Sequence, residues 1–512
     1  MRALLSIPVV LALGFSQTWV ARYNGLANDE DRACGIAVTE AGSVCVTGSS
    51  WSSTAANDLL TITYSPSGES LWAVRYDGAA HGDDQARAVV ARGENVFVTG
   101  GCSDASLWTD MFTVSYDATG GQRWAALYNG PGNRNDHGLA LAADDADNVY
   151  AAGYTSGDTT FWEMLLVKYD PTGSEAWASI YSTIDEDYCV GVAVDNQGHV
   201  YTAGNTGSPY VLNWDYVTIK YNALNGDTLW TRRYNGPADE HDEARAIAVD
   251  QAGNVIVTGA SMGAGTNMDF LTIKYGPGGE VIWTERYDGP ASGPDWAYAL
   301  AVDQAGCIYV TGASTGVSTD FDYTTIKYNP DGSRAWVARY DGPASGFDEA
   351  RAIGLDRAGN VYVTGASAGS GTRADYATVC YNSLGQEVWV QRYDGPASRD
   401  DEAAALALGR NGAVYVTGAS AGSGTGTDYA TVSYPTGGVQ EAIALDAPGV
   451  RSEPTIVRRT LPLAARTKGR MLDACGREVF CLQHGANDIS RLAPGVYFIR
   501  SESDVRRVVI GR

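Results

Sequence analysis

The stretch DEARAIGLDRAGNVYVTGASAG, residues 348–369, decides the fold because the chain repeats it. Close copies are DEARAIAVDQAGNVIVTGASMG at 242–263 and DWAYALAVDQAGCIYVTGASTG at 295–316. Self-similarity at a fixed period of this length is typical of solenoids and propellers. Tryptophans 52 or 53 residues apart mark eight units: Trp19, Trp72, Trp124, Trp177, Trp230, Trp283, Trp336 and Trp389.

Each unit contains four short apolar or alternating runs separated by turn sequences. Around residue 348 they are EARAIGLD, VYVTGAS, DYATVCY and EVWVQRYDG, and RAGN is the first turn. This pattern predicts a four-stranded meander, and no segment has the apolar period of a helix. Eight such units over residues 17–436 predict an all-β, eight-bladed β-propeller. A parallel β-helix is the alternative, but its coils are usually shorter than this repeat.

The two ends of the repeat region predict how the ring closes. Residues 18–25, TWVARYNG, match the fourth strand of a unit, whereas the last unit stops after a third strand, DYATVSY, at 428–434. One strand from the N-terminus can therefore complete a blade with three strands from the end of the repeats, which leaves no open sheet edge.

The repeat resembles the bacterial SBBP family of β-propeller repeats over residues 17–436. The similar segments are AIAVDQAGNVIVTG at 246–259, DYTTIKYN at 322–329 and WVARYDG at 336–342. The resemblance implies a propeller, usually described with seven blades, whereas eight units are present here. It implies no shared catalytic residues.

The chain ends differ from the repeats. Residues 1–16 combine Arg2, an apolar stretch and small residues, which predicts a signal peptide. Residues 437–450 are a predicted linker. In 451–512, LDACGREV, LAPGVYFIR and a final basic run resemble the C-terminal sorting domain of type IX secretion substrates. That resemblance implies a small β-sandwich, export by the secretion machinery, and an extracellular or outer-surface location, with the domain often removed or exchanged for an anchor. An accessory β-domain is the alternative.

Charge and cysteine content exclude several classes of protein. The net charge of −24 argues against nucleic acid, which needs a basic surface, and permits cations or basic ligands. No apolar run is long enough to predict a transmembrane segment. The eight cysteines include no CxxC pair, so buried free thiols are favoured over the pairs Cys34–Cys45 or Cys475–Cys481.

Two acidic positions recur in every unit and should lie around one mouth of the ring. Because all eight blades share them, we interpret them as turn-fixing residues that accept backbone N–H bonds. A ring that binds Ca²⁺ or a cationic ligand is the alternative, and no other cofactor is predicted. The first position comprises Asp31, Asp84, Asp136, Asp187, Asp242, Asp295, Asp348 and Asp401. The second comprises Asp58, Asp110, Glu163, Asp215, Asp269, Asp322, Asp375 and Asp428.

Large aromatic residues outside the repeat pattern are concentrated on one half of the same predicted face. They could stack on sugar rings or anchor a protein, or they could fold over the blade edges as additional core. Trp296 is placed in a blade-to-blade loop, and the others in or beside the loops between second and third strands. The candidate ligand-binding residues are Trp51, Trp108, Trp162, Tyr210, Trp214 and Trp296.

No catalytic motif is present. The five histidines have no metal-binding spacing, and the chain lacks a GxSxG elbow, a Walker-type loop and HExxH. We therefore expect a monomeric, non-enzymatic propeller that binds an extracellular glycan or protein. A hydrolase or lyase acting on polysaccharide and a structural surface-layer component are the alternatives.

Overall fold

The computed structural model describes residues 17–52, 56–103, 108–157, 161–208 and 213–435, and seven strands beyond residue 454. The chain forms two compact units, Met1–Gly437 and Gly438–Arg512. The predicted signal peptide and the predicted linker at 437–450 lie outside the described residues. The described part of the chain contains no helix, and so none that could span a membrane.

The first unit is an eight-bladed β-propeller of four-stranded antiparallel sheets, which confirms the predicted fold class. The strands of blades 1 to 4 are β2(Asp31–Val38), β3(Val44–Trp51), β4(Asn57–Tyr64), β5(Ser70–Tyr76); β6(Asp84–Arg92), β7(Asn95–Ser103), β8(Thr109–Tyr116), β9(Gln122–Tyr128); β10(Asp136–Ala143), β11(Val149–Ser156), β12(Trp162–Tyr169), β13(Glu175–Tyr181); β14(Glu186–Val194), β15(Val200–Ser208), β16(Asn213–Tyr221), β17(Thr228–Tyr234).

The other four blades have the same order of strands, with the first strand innermost. Their strands are β18(Asp242–Val249), β19(Val255–Met262), β20(Met268–Tyr275), β21(Val281–Tyr287); β22(Asp295–Val302), β23(Ile308–Thr315), β24(Phe321–Tyr328), β25(Arg334–Tyr340); β26(Asp348–Leu355), β27(Val361–Ala368), β28(Ala374–Tyr381), β29(Glu387–Tyr393); β30(Asp401–Leu408), β31(Ala413–Ala421), β32(Thr427–Pro435) and, completing blade 8, β1(Trp19–Tyr23).

The ring closes as the sequence predicts. Strand β1 pairs antiparallel with β32, from Trp19 opposite Ser433 to Tyr23 opposite Tyr429. The ring of Trp19 contacts Tyr415 of blade 8 at 5.7 Å and Tyr64 of blade 1 at 6.0 Å between centroids. The N-terminal strand thus completes one sheet and packs against the next.

The repeat tryptophans join neighbouring blades, which explains the period of the sequence. Trp283 of blade 5 donates its indole N–H to the carbonyl of Pro330 in blade 6, at 3.1 Å. Its ring covers Gly332, where φ is +89° and a Cβ would approach the indole to 2.8 Å. Only glycine suits that turn, since a side chain would meet both a left-handed backbone and the ring.

The core lies between the sheets and consists of the second and third strands, which are buried on both faces. In six blades, buried threonines at the centre of these two strands are 3.0 Å apart and hydrogen-bonded, so these buried hydroxyls have partners. The six cysteines of the propeller are free thiols. Cys34 and Cys45 therefore form no disulfide; the Cys34 thiol instead donates to the carbonyl of Ala86, at 3.1 Å.

The second unit is also built of strands. Its five-stranded sheet has the order β33-β39-β38-β35-β36, and β34 pairs with β37. The strands are β33(Thr455–Val457), β34(Thr460–Leu463), β35(Gly469–Leu472), β36(Glu478–Leu482), β37(Gly485–Asp488), β38(Gly495–Arg500) and β39(Val505–Ile510).

Candidate functional site

One end of the propeller, which we call the loop face, carries the candidate residues that the structure describes. Here each inner strand begins, the second strand ends and the third begins. In blade 1 Asp31 pairs with Ser50, and Ser50 pairs with Asp58, so the two recurring acids lie at the same end of the sheet. The structure thus brings the predicted acidic positions of each blade to one face.

The aspartates at the first acidic position make contacts that hold the fold together. All eight aspartates are fully buried, and burial raises the pKa of each. In seven blades the carboxylate accepts a backbone N–H from the glycine six residues earlier, at 2.6–2.8 Å in six of them. These bonds fix the blade-to-blade turn, which is the role that the sequence favours.

The second acidic position is neutralised in six blades by an arginine near the end of the outer strand. Arg75 contacts Asp58 at 2.7 Å, and the five equivalent pairs lie at 2.7–3.0 Å. Arg75 also donates to Tyr23 of the preceding blade at 3.5 Å. Blades 2 and 3 carry Leu127 and Ile180 in place of this arginine. Sequence reasoning noted the RYDG segments but missed this role.

Three aspartates converge at four of the blade junctions. At each junction, oxygens from the third strand, the linker and the next inner strand lie within 4.8 Å of one another. Ca²⁺–oxygen bonds of about 2.4 Å would allow one ion to contact all three. Because hydrogen-bond partners already engage all three residues of each cluster, the contacts favour the architectural interpretation, and the cation interpretation stays a prediction. The clusters are Asp58/Asp77/Asp84, Asp269/Asp288/Asp295, Asp322/Asp341/Asp348 and Asp375/Asp394/Asp401.

Two of the predicted ligand-binding tryptophans belong to a continuous series of rings on blades 3 and 4, which we call the aromatic row. Trp162 stacks on Tyr154 at 4.6 Å and meets Tyr188 edge to face at 6.2 Å. Tyr188 in turn contacts Trp214 at 5.2 Å, and His137 lies 5.1 Å from Tyr154. Trp214 is only 8% exposed, so it supports the row from below, whereas the other rings are partly accessible.

The remaining candidates lie apart from this row. Trp51 ends β3 and is partly exposed, and Trp108, just before β8, is 41% exposed. Trp296 is the second residue of inner strand β22, opposite Ala313, so its predicted placement in a loop is wrong. The strand begins with the buried Asp295, one residue earlier than expected. Tyr210 lies outside the described residues.

Every inner strand has a β-bulge that the sequence analysis did not find. The register skips one residue in each strand, for example Arg87 between Ala86 and Ala88. Bulges re-aim side chains, and here the extra residue lies beside the central channel. In the sequence, an arginine within an Ala-rich run, as in DQARAVVAR, was the available signal of the bulge. The bulged residues are Cys34, Arg87, Leu139, Val190, Arg245, Tyr298, Arg351 and Ala404.

A cavity of about 300 Å³ opens at this level between blades 1, 2, 7 and 8. Its charged lining consists of Arg32, Arg87, Arg351, Glu30 and Glu402, with Cys34, Gln85, Ser49 and Asn57 among the uncharged residues. Arginines thus outnumber acids in this cavity, although the chain carries a net charge of −24.

Cys34 and His137, which both lie near Arg87, are un-ionised near neutral pH. Burial raises the pKa of the Cys34 thiol to about 11, so no thiolate nucleophile forms there. Burial, and then the positive charge of Arg87, lower the pKa of His137 to about 4. The arrangement can therefore bind through guanidinium groups and rings, but it offers no activated nucleophile.

Comparisons with known proteins find only distant structural similarities. No family model and no curated protein matches the chain. Among solved structures, a mutant puromycin hydrolase matches at 12% identity and a TM-score of 0.42, over 77% of this chain and 59% of that one. A europium-containing methanol dehydrogenase matches at 11% and 0.35, over 82% and 93%. PorZ, a surface component of the type-IX secretion system of Porphyromonas gingivalis, matches at 13% and 0.30, over 94% and 81%. Similarities at this level of identity assign no activity.

Proposed function

We propose that this protein is a non-enzymatic binding propeller whose loop face holds an extracellular glycan. The observation that carries the proposal is the aromatic row, because partly exposed rings in series are suited to stacking against sugars. The row is confined to blades 3 and 4, so it breaks the symmetry of the ring as a specific site must.

The surroundings of the row support a binding role over catalysis. The recurring acids are held by backbone N–H groups and arginines, and this leaves them as parts of the scaffold. The cavity beside the row is concave, as sites for small ligands usually are, and its polar lining suits a polar ligand such as a sugar. The second candidate ligand is a protein that binds to the same face.

Export completes the proposal and rests on the sequence. The first 16 residues have the anatomy of a secretory signal, and residues 451–512 resemble a type IX sorting domain. The SBBP-like repeats are compatible with a bacterial exported protein. If the proposal is correct, deletion of residues 451–512 leaves the protein inside the producing cell, whereas the full chain is detected outside it or on its surface.

Glycan and protein arrays probed with the protein test the binding role. Trp108→Ala and Trp162→Ala should each weaken binding to the glycan that the arrays select by about tenfold, the loss expected for a ring that stacks on a ligand. Phe347→Ala is the matched control, since Phe347 is 46% exposed and lies on the other half of the face.

The melting temperature of each variant shows whether the fold is kept. Binding of the Trp162 variant at the strength of the unchanged protein would contradict the role of the aromatic row. The same result for the Trp108 variant would show that this ring, which lies apart from the row, is outside the site. Absence of any glycan or protein ligand on the arrays would contradict the proposed function itself, and release of cleaved sugars would replace it with an enzyme.

A further inference from the structure

The channel side of the loop face carries three bulged arginines, and two of them are neutralised within the protein. Arg245 contacts Glu243 at 2.8 Å. Arg351 contacts Glu402 at 2.9 Å and Glu349 at 3.4 Å. Such pairs have little remaining charge to offer a ligand.

Arg87 differs from both. Its guanidinium donates to the amide oxygen of Gln85 at 3.0 Å, and within residues 17–435, as far as these are described, no carboxylate pairs with it. The side chain is exposed and lines the cavity of about 300 Å³. An arginine fork presents paired N–H donors that match a carboxylate in two-point geometry.

The groups near Arg87 do not neutralise its positive charge, which is therefore available to a ligand in the cavity. Arg32, on the adjoining blade, also lines the cavity and lies 3.5 Å from Glu30, with both side chains more than half exposed. Among the groups nearest Arg87, His137 and Cys34 are uncharged near neutral pH. The cavity thus presents unneutralised positive charge on an otherwise acidic protein.

The aromatic row starts beside this charge. The electrostatic field of Arg87 acts on both His137 and Tyr154, which are the first two rings of the row. A ligand that extends from the cavity along the row therefore meets a cation first and stacking surfaces next. Acidic polysaccharides combine a carboxylate with sugar rings in this way, whereas an acidic peptide has no sugar rings at a regular spacing.

We infer that the loop face binds an acidic glycan, with the carboxylate of a uronate unit held by Arg87 in the cavity and adjacent sugar rings lying along the aromatic row. This inference rests on the proposed glycan-binding function and adds the class of ligand. It also assigns Arg87 as a specificity-determining residue.

Titration calorimetry with oligogalacturonate and with its methyl ester tests the inference, because the two probes share the same sugar backbone and differ in charge. The acidic oligomer should bind at least about tenfold more tightly than the ester, and Arg87→Gln should remove that difference. Arg92→Gln is the matched control, since Arg92 ends the same strand at the opposite face and contacts Asp145. Uncharged residues occupy the bulge in five other blades, so the Arg87 variant is expected to fold.

The possible outcomes distinguish failure of the acidic-glycan inference from failure of the proposed glycan-binding function. Equal binding of acid and ester, or an unchanged affinity after Arg87→Gln, would overturn the inference and leave the glycan-binding function standing. Binding of poly-glutamate in preference to the oligosaccharide, lost in the Arg87 variant, would also overturn it, in favour of an acidic peptide. Failure of every glycan on the arrays would contradict the proposed function instead.

Discussion

His137 differs in chemistry from the residues at the equivalent position of other blades. Equivalent positions in blades 5, 7 and 8 are glutamates, whereas blade 3 has a half-buried imidazole against Tyr154. Burial and the nearby Arg87 lower its pKa from 6.5 to about 4. The folded protein therefore keeps the imidazole neutral at a pH where the unfolded chain would protonate it.

This pKa predicts a pH dependence of stability. Between pH 6.5 and about 4 the unfolded state binds a proton on His137 that the folded state does not, so acidification across this window destabilises the fold by up to about 3 kcal/mol. His137→Phe should remove that loss while keeping a ring against Tyr154. The buried aspartates shift in the opposite sense, since burial raises their pKa and acidification relieves the cost of their charge, but this change is common to both proteins.

The measurement is urea unfolding of both proteins at about pH 7 and about pH 4.5, on either side of the ordinary histidine pKa. The difference in unfolding free energy between them should change in favour of the variant at the lower pH. A difference that stays constant with pH would show that His137 titrates normally in the folded state.

At the scale of elements, seven of the eight blade junctions take one of two forms, and the eighth has Ser182 at the same place. Four junctions bring three aspartates together, and the linker residue is Asp77, Asp288, Asp341 or Asp394. Other junctions have Asn24, Asn129 or Asn235 at that place, where the amide donates to a residue four positions later. The protein itself thus shows that asparagine suits this turn.

Replacement of all four linker aspartates by asparagine should stabilise the propeller in EDTA, because it removes one of three like charges from each cluster. We expect the melting temperature to rise by about 2 °C. A lower melting temperature would show that the linker carboxylates are needed for the turn. Addition of Ca²⁺ tests the cation hypothesis with the same pair, since it should then raise the melting temperature of the unchanged protein and not of the variant.

The sequence predicts the strands of this protein better than its site. Strand order, the glycine turns and the ring closure follow from the period of 52 or 53 residues, because every copy repeats the same pattern. The bulge at Arg87 was missed, since a single unpaired residue does not change the hydrophobic pattern enough to reveal it. The placement of Trp296 in a loop conflicts with the repeat itself, because Trp296 aligns with Glu349, the first residue of the predicted strand EARAIGLD.

The whole molecule depends on a closed ring. If β1 did not pair with β32, blade 8 would have an open edge and the cavity between blades 7, 8, 1 and 2 would lose its shape. The asymmetric site on the loop face also depends on a closed ring, because only then do blades 2 to 4 lie at fixed positions around one channel.

Hydrogen exchange followed by mass spectrometry of the protein tests this closure most directly. The matched reference is β5, which holds in blade 1 the outer position that β1 holds in blade 8. Peptides covering Trp19–Tyr23 should exchange as slowly as those covering Ser70–Tyr76. Complete exchange of the N-terminal peptide at the earliest time point, with β5 still protected, would contradict the closed ring.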